Sequence, residues 1–395
     1  MRPIALYIHI PFCARRCAYC DFNAYADSDM EVRSAYQRAL LADLRRSASS
    51  EFLLRSIYIG GGTPSLCPPE WLEQIMAECR HLFRWDDDVE VSIEANPGTV
   101  SLEGLRCWRQ MGIGRVSFGV QSLNDEVLSA MGRIHRREEV LQSLRWARQA
   151  GIDNLNLDFI YGYPGQGAAQ VGDDMREAVE LAPEHISAYA LSVEAGTPLE
   201  KALSAGRLSL PADEECEAIE EALSAALKDG GYQHYEISNW CRPGRACLHN
   251  EIYWENGEYL GVGCGAVSYL GGWRYKRLSS PRAYSEALEA GQSPVFDGER
   301  LSVSARLKET IMLGLRTARG LDVGALGRRF GVSPQDLCSW CETIPDYTYR
   351  REGAYLRLTE RGWQLSNEIF ERLWEAPPWG ERFDDSIGEP PGELS

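Results

Sequence analysis

The 395-residue chain has no apolar run near the roughly 20 residues that a membrane-spanning helix needs, so no membrane span is expected. It also lacks the basic excess of a nucleic-acid binder. Against 58 acidic residues stand 41 basic ones, and the net charge of −17 argues against nucleic acid or an anionic membrane surface as the main partner. Nothing between Met1-Arg2-Pro3 and the first strand-like run reads as a secretory signal. Without one, 12 cysteines in a chain of this size do not read as a disulfide framework, and a reduced, cytoplasmic protein is expected. Most of these cysteines are expected to be buried small hydrophobes, as at Cys79 and Cys107 inside apolar helix patterns. There is no obvious second CxxC pair of the kind a structural zinc site uses. What is present is an ordinary globular composition, 44% hydrophobic and 25% charged, long enough for two or more folding units.

Three cysteines stand apart from the rest. Cys13, Cys17 and Cys20 follow a short apolar run at CxxxCxxC spacing. Iron–sulfur clusters are held by cysteine thiolates, and three of them on a four-iron cluster leave one iron free for an exchangeable ligand. Zinc is the competing reading, and the missing second pair weighs against it. On this spacing the chain resembles the radical S-adenosylmethionine (SAM) superfamily, which implies a [4Fe–4S] cluster on these three residues and SAM on the open iron.

Strand-like runs at Ile4–Ile10, Ser56–Ile59, Val89–Ala95, Arg115–Val120, Asn154–Ile160 and His185–Leu191 alternate with helical patterns at Val32–Arg46, Pro69–Phe83, Leu102–Met111, Arg137–Ala150 and Gly172–Leu181. That alternation predicts βαβ units with a parallel sheet, and six units predict a partial (β/α)6 barrel with function at the carboxyl ends of its strands. Helical segments at Glu200–Ala205 and Asp213–Lys228 complete a core over residues 1–231. An aromatic linking segment is expected over 232–300, and a small winged-helix-like domain over 301–375 with helices at Leu321–Phe330 and Pro334–Trp340 and a hairpin near Tyr347–Leu358. The Pro-, Gly- and acid-rich tail over 376–395 reads as disordered. In so acidic a chain the helix pair reads as a docking module, and Arg316, Arg319, Arg328 and Arg329 as a solvated face.

Gly60-Gly61-Gly62-Thr63 follows the second strand, where glycines let backbone approach a ligand. Glu94, Gln121, Arg133 and Asp158 lie at or near later strand ends and offer the acceptors, amide and cation that a sulfonium ligand with a ribose and an α-amino acid requires. Each alone is an ordinary polar residue. Together, with their flanking residues, they resemble the SAM site of the oxygen-independent coproporphyrinogen III oxidase-like branch. The resemblance implies SAM contacts at Gly61, Gly62, Thr63, Glu94, Gln121, Arg133 and Asp158, with Tyr7 and Tyr19 against ligand or cluster.

Within that branch the oxidases carry a fourth cysteine two residues after the third, where this chain has Phe22, and an N-terminal extension, where only six residues precede Tyr7. Conversely, His249-Asn250-Glu251-Ile252-Tyr253-Trp254 reads HNxxYW and precedes the glycine-rich run from Gly261. This resembles the heme-chaperone subgroup. That subgroup implies heme as cargo and a heme-acceptor protein, such as a respiratory hemoprotein, as partner. Coproporphyrinogen III dehydrogenation by a 5′-deoxyadenosyl radical is the alternative, and radical SAM methyl transfer a third. His249 is the candidate heme ligand, with Cys247 as a second. An equal alternative is that His249 and Asn250 are hydrogen-bonded in a structural junction.

Overall fold

A computed structural model describes residues 1–26, 29–375, 377 and 379. Along the first half, β1 (Arg2–Ile10), β2 (Phe52–Gly61), β3 (Arg84–Ala95), β4 (Arg115–Gln121), β5 (Asn154–Tyr161) and β6 (His185–Ala190) alternate with helices. These are α1 (Met30–Ser47), α2 (Pro69–Leu82), α3 (Leu102–Gln110), α4 (Asp125–Ala130), α5 (Arg137–Gln149) and α6 (Ala168–Glu180). All six strands are parallel and pair in chain order, which is the partial barrel expected. On β1, Ile4, Leu6, Ile8 and Ile10 bury one face in the main core, and Tyr7 and His9 take the other.

The differences from expectation are local. The strands β2 and β3 begin at Phe52 and Arg84, earlier than Ser56 and Val89. Helix α6 begins at Ala168 rather than Gly172. Helix α4 was not anticipated; its six residues are too few to display a period, and its signal is Asn124, whose side chain accepts from the Glu126 and Val127 amides. Cys79 is buried as expected, whereas Cys107 is only half-buried.

After α7 (Pro198–Ser204) and α8 (Asp213–Asp229), residues 232–300 build both edges of the same sheet. The short strands β7 (Gln233–Glu236) and β8 (Asn239–Cys241) extend it antiparallel beyond β6. Helix α9 (Leu248–Trp254) then leads to β9 (Tyr259–Val262), which pairs parallel to β1. Beyond it lie β10 (Val267–Leu270), β11 (Trp273–Arg277) and β12 (Val295–Arg300), with α10 (Pro281–Glu289) between the last two. A buried ion pair, Arg277 Nε to Asp43 Oδ2 at 2.6 Å, ties β11 to α1, and Tyr284 Oη donates to the same carboxylate oxygen at 2.6 Å.

The C-terminal part has its own hydrophobic core. It comprises α11 (Val303–Leu315), β13 (Leu321–Asp322), α12 (Val323–Phe330), α13 (Pro334–Cys341), the hairpin β14 (Tyr349–Glu352) and β15 (Tyr355–Leu358), α14 (Glu360–Gln364) and α15 (Ser366–Glu375). Its docking contacts include the Ala318 amide to the Tyr235 carbonyl at 2.8 Å and Trp363 edge-on to His234. Arg319, Arg328 and Arg329 are exposed, as expected of a solvated face, and Arg316 is the exception. Arg316 is half-buried 5.3 Å from the Phe370 ring, and Arg319 pairs with Glu255 at 2.5 Å. In the tail only Pro377 and Trp379 are described, and Trp379 is buried in the C-terminal core; the rest of the expected disordered segment lies outside the described residues.

Candidate cluster and ligand site

The loop after β1 is fastened on several sides. Cys13 N–H donates to the Tyr25 carbonyl at 3.0 Å, Ala18 N–H to Met131 at 3.0 Å, and Leu199 N–H to Ala18 at 2.9 Å. This presents Cys13, Cys17 and Cys20 as free, half-buried thiols on the wall of one cavity of about 520 Å³. Thr63 Oγ1 donates to Cys13 Sγ at 3.5 Å and Arg133 Nη1 to Cys17 Sγ at 3.3 Å. Burial pushes the Cys13 and Cys20 thiols up, and a bound metal would favour their thiolate forms. Among the described residues no group of three His, Cys, Asp or Glu could hold a single metal ion. A multi-iron group takes each thiolate at a separate iron, so three cysteines spread along one cavity wall fit it as a donor set.

Glycines make the opposite wall. Gly61 has φ +120°, and a Cβ there would lie 2.6 Å from His9 Cε1; at Gly62 it would lie 2.8 Å from the Phe12 carbonyl oxygen. The Gly62 and Thr63 amides bond Ile10 and Phe12 carbonyls at 2.7 and 2.8 Å, which brings the β2 end against the cysteine loop. The Gly61 amide donates to Glu94 Oε2 at 2.9 Å. Burial still dominates at Glu94 and lifts its carboxyl to about 7. Asp158 accepts from Ser117 Oγ and Asn156 Nδ2, each at 2.7 Å, and burial raises its carboxyl as well. Gln121 takes a positive φ of 70° where the β4–β5 register shifts, a backbone cost of order 1–3 kcal/mol that residues at functional sites often carry. Arg133 is clamped by Asn96 Oδ1 at 2.5 Å and the Gly119 carbonyl at 2.6 Å.

Tyr19, Gly61, Gly62, Thr63, Glu94, Gln121, Arg133 and Asp158 thus line the same cavity as the three cysteines. Tyr7 does not. It lines a second cavity of about 730 Å³ together with His249. Phe22, Tyr58, Gly61 and Glu94 border both cavities. Ser117, Asn96 and Tyr58 were missed in the sequence, although Asn96 stands in the same Ile-Glu-Ala-Asn-Pro run as Glu94.

The second cavity is aromatic. His249 stacks on Tyr58 at 5.0 Å and meets Tyr253 edge-on at 4.7 Å, and Tyr253 in turn meets Tyr259 at 4.7 Å. Helix α9 places His249 and Tyr253 four residues apart on one face. His249 Nδ1 lies 2.8 Å from Ser56 Oγ and Nε2 2.9 Å from Tyr253 Oη, so both ring nitrogens are engaged. Burial lowers its pKa to about 3, which keeps the ring neutral. Cys247 is not on the cavity wall; its thiol packs 3.5 Å from Glu90 and is pushed up to about 12 by burial. On the far side Glu309, Met312 and Leu313 of α11 contribute, so the C-terminal part helps enclose this space.

The radical SAM superfamily profile matches residues 7–178, and the HemN C-terminal domain profile matches residues 301–365. The heme chaperone HemW of Mycobacterium tuberculosis is 37% identical over 376 residues, covering 94% of this chain and 95% of that protein. The Bacillus subtilis protein of the same name is 32% identical over 373 residues, covering 92% and 97%. The chain belongs to the HemW family. Among solved structures, coproporphyrinogen III oxidase (HemN) from Escherichia coli superposes with a TM-score of 0.81 at 23% identity, covering 94% of this chain and 89% of that one, which is a likeness of fold. The HemW relatives share both the core and the C-terminal part, since each matches nearly end to end. No helix among the described residues is long and apolar enough to cross a membrane.

Proposed function

We propose that this protein is a cytoplasmic heme chaperone that holds heme in the aromatic cavity, carries a [4Fe–4S] cluster on Cys13, Cys17 and Cys20, and passes heme to an acceptor protein. The observation that carries the reading is the aromatic cavity itself. At about 730 Å³ it lies in the range of cofactor pockets, and α9 of the HNxxYW motif forms part of its wall. The family name of the relatives supports heme as the cargo.

In this reading SAM occupies the cavity beside the cysteines. Glu94 and Asp158 accept from its hydroxyl and amino groups, Gln121 and Arg133 supply donors, and Gly61 to Thr63 offer close backbone. A cluster held by three thiolates keeps one iron able to take an exchangeable ligand. In this reading heme and cluster lie in neighbouring compartments, which the shared lining residues Phe22, Tyr58, Gly61 and Glu94 support. His249 ligates iron in this arrangement on condition that Tyr253 gives up Nε2. The acceptor recognises the loaded protein, and a respiratory hemoprotein is the class proposed.

The competing reading is dehydrogenation of coproporphyrinogen III, which the shared wall would also accommodate. Anaerobically reconstituted protein separates the two. Titration with heme, and incubation of coproporphyrinogen III with SAM and reductant, should give stoichiometric heme binding and no protoporphyrinogen. Multiple-turnover formation of protoporphyrinogen would overturn the chaperone reading.

A further inference from the structure

Beneath Asp158 the polar lining continues into the interior. Parallel register sets Ser117 of β4, Asn156 of β5 and His185 of β6 side by side, one layer below Asp158. All three are buried. Asn156 Nδ2 lies 2.7 Å from Asp158 Oδ1, and Asn156 Oδ1 lies 2.6 Å from His185 Nδ1. His185 Nε2 lies 2.8 Å from the Tyr235 hydroxyl, whose oxygen accepts the Cys247 amide at 3.4 Å, at the start of α9.

The chemistry allows one direction for this chain. An ionised carboxylate only accepts, so Asn156 must turn its amide donor to Asp158 and its carbonyl oxygen to His185. His185 must then carry its proton on Nδ1, and the bare Nε2 takes the Tyr235 hydroxyl proton. Burial, with the Arg115 charge, holds His185 well below its ordinary range and so neutral, as this arrangement requires.

We propose that Asn156, His185 and Tyr235 are positioning residues for the ligand at Asp158: they form a directional relay that fixes the carboxylate with its free lone pairs toward the cavity, anchored at the start of α9. The inference rests on the reading that Asp158 meets SAM. The Tyr235 hydroxyl proton on Nε2 holds the ring in place for the tautomer that Asp158 and Asn156 impose, and its loss leaves Nε2 a buried acceptor without that partner. The other tautomer would make Nδ1 an acceptor, turn Asn156 over to donate to it, and bring the Asn156 carbonyl against Asp158.

The test uses the full chain in two states. Nitrogen-15 NMR of the six histidines in ligand-free protein should show His185 as the Nδ1–H tautomer in the wild type and in Tyr235→Phe, with the bare Nε2 resonance moved in the variant by loss of its hydrogen bond. In cluster-reconstituted protein, Tyr235→Phe and His185→Leu should each weaken SAM binding by roughly tenfold, the loss expected for a misaligned charge-assisted hydrogen bond. Neither should add to the loss caused by Asp158→Asn, and His185→Asn, which keeps an amide donor facing Asn156, should recover part of the affinity. An Nε2–H tautomer in the wild-type protein would overturn the relay. So would unchanged affinity in Tyr235→Phe alongside weakened binding in Asp158→Asn, with the ligand reading left standing. Unchanged affinity in Asp158→Asn would overturn both.

Discussion

At the scale of single residues, the three cysteines of the loop differ from the others by their surroundings. Cys13, Cys17 and Cys20 face a cavity, whereas Cys67 and Cys264 are buried thiols pushed up to about 12. Cys17→Ala, and equally Cys13→Ala or Cys20→Ala, should abolish the [4Fe–4S] absorption and electron-paramagnetic-resonance signals after reconstitution, and Cys67→Ala or Cys264→Ala should keep them. A full cluster in Cys17→Ala would reassign the ligands. Glu94 gives a second prediction. Burial lifts its carboxyl from the ordinary 4.5 to about 7 in the folded state, so the folded protein holds that proton more tightly than the unfolded chain. Its contribution to stability is full below pH 4.5 and is lost as pH rises through about 7. Glu94→Gln should therefore raise the melting temperature of ligand-free protein at pH 8, by a free energy of order 1–3 kcal/mol once water in the cavity is allowed for, and leave it nearly unchanged at pH 4. Equal effects at both pH values would contradict the buried-acid account.

That these residues would share one cavity was legible in the sequence because they stand in short local motifs: three cysteines within eight residues, a glycine run, and polar residues near strand ends. Tyr7 lines the second cavity rather than the first for a physical reason. Its ring faces the space made when β9 pairs with β1, and residues 5–8 meet residues 259–262 only through that long-range pairing. Asn156, His185 and Tyr235 were missed for the same reason, since only strand register brings them together.

At the scale of elements, the alternation of strand and helix revealed the six-stranded parallel core, because each βα unit repeats a two-residue period followed by a 3.6-residue one. The destination of residues 232–300 was not visible. Strands of three to five residues such as β8, β9 and β11 carry too little pattern to announce which edge of a sheet they join. The joint between α1 and β11 is set by the Asp43–Arg277 pair, which also engages Tyr284, Ser47 and the Gly263 amide. Removing one partner of a buried pair leaves the other uncompensated, at a cost of about 3–5 kcal/mol. Asp43→Ala should lower the denaturant midpoint accordingly, and Arg277→Met combined with Asp43→Leu should recover much of the loss. A single substitution without effect would show that the pair does not hold this edge in place.

At the scale of the whole molecule, two compartments share one wall. The first is framed by the ends of β1 to β6, where the fold concentrates function. The second is built where separate parts of the chain converge: β1 to β3 with Phe22 and Asn23, the segment from α9 to β11, and α11 of the C-terminal part. If His249 reaches iron there, His249→Ala should shift the heme absorption bands, and Tyr253→Phe, which frees Nε2, should shift them as well; unchanged spectra in both variants would move the ligand elsewhere. The central claim is the location of heme. Amide hydrogen exchange of the reconstituted protein with and without heme tests it most directly. Slowed exchange should be concentrated in residues 249–275 and 306–315, and slowed exchange confined to residues 321–375 would contradict the account.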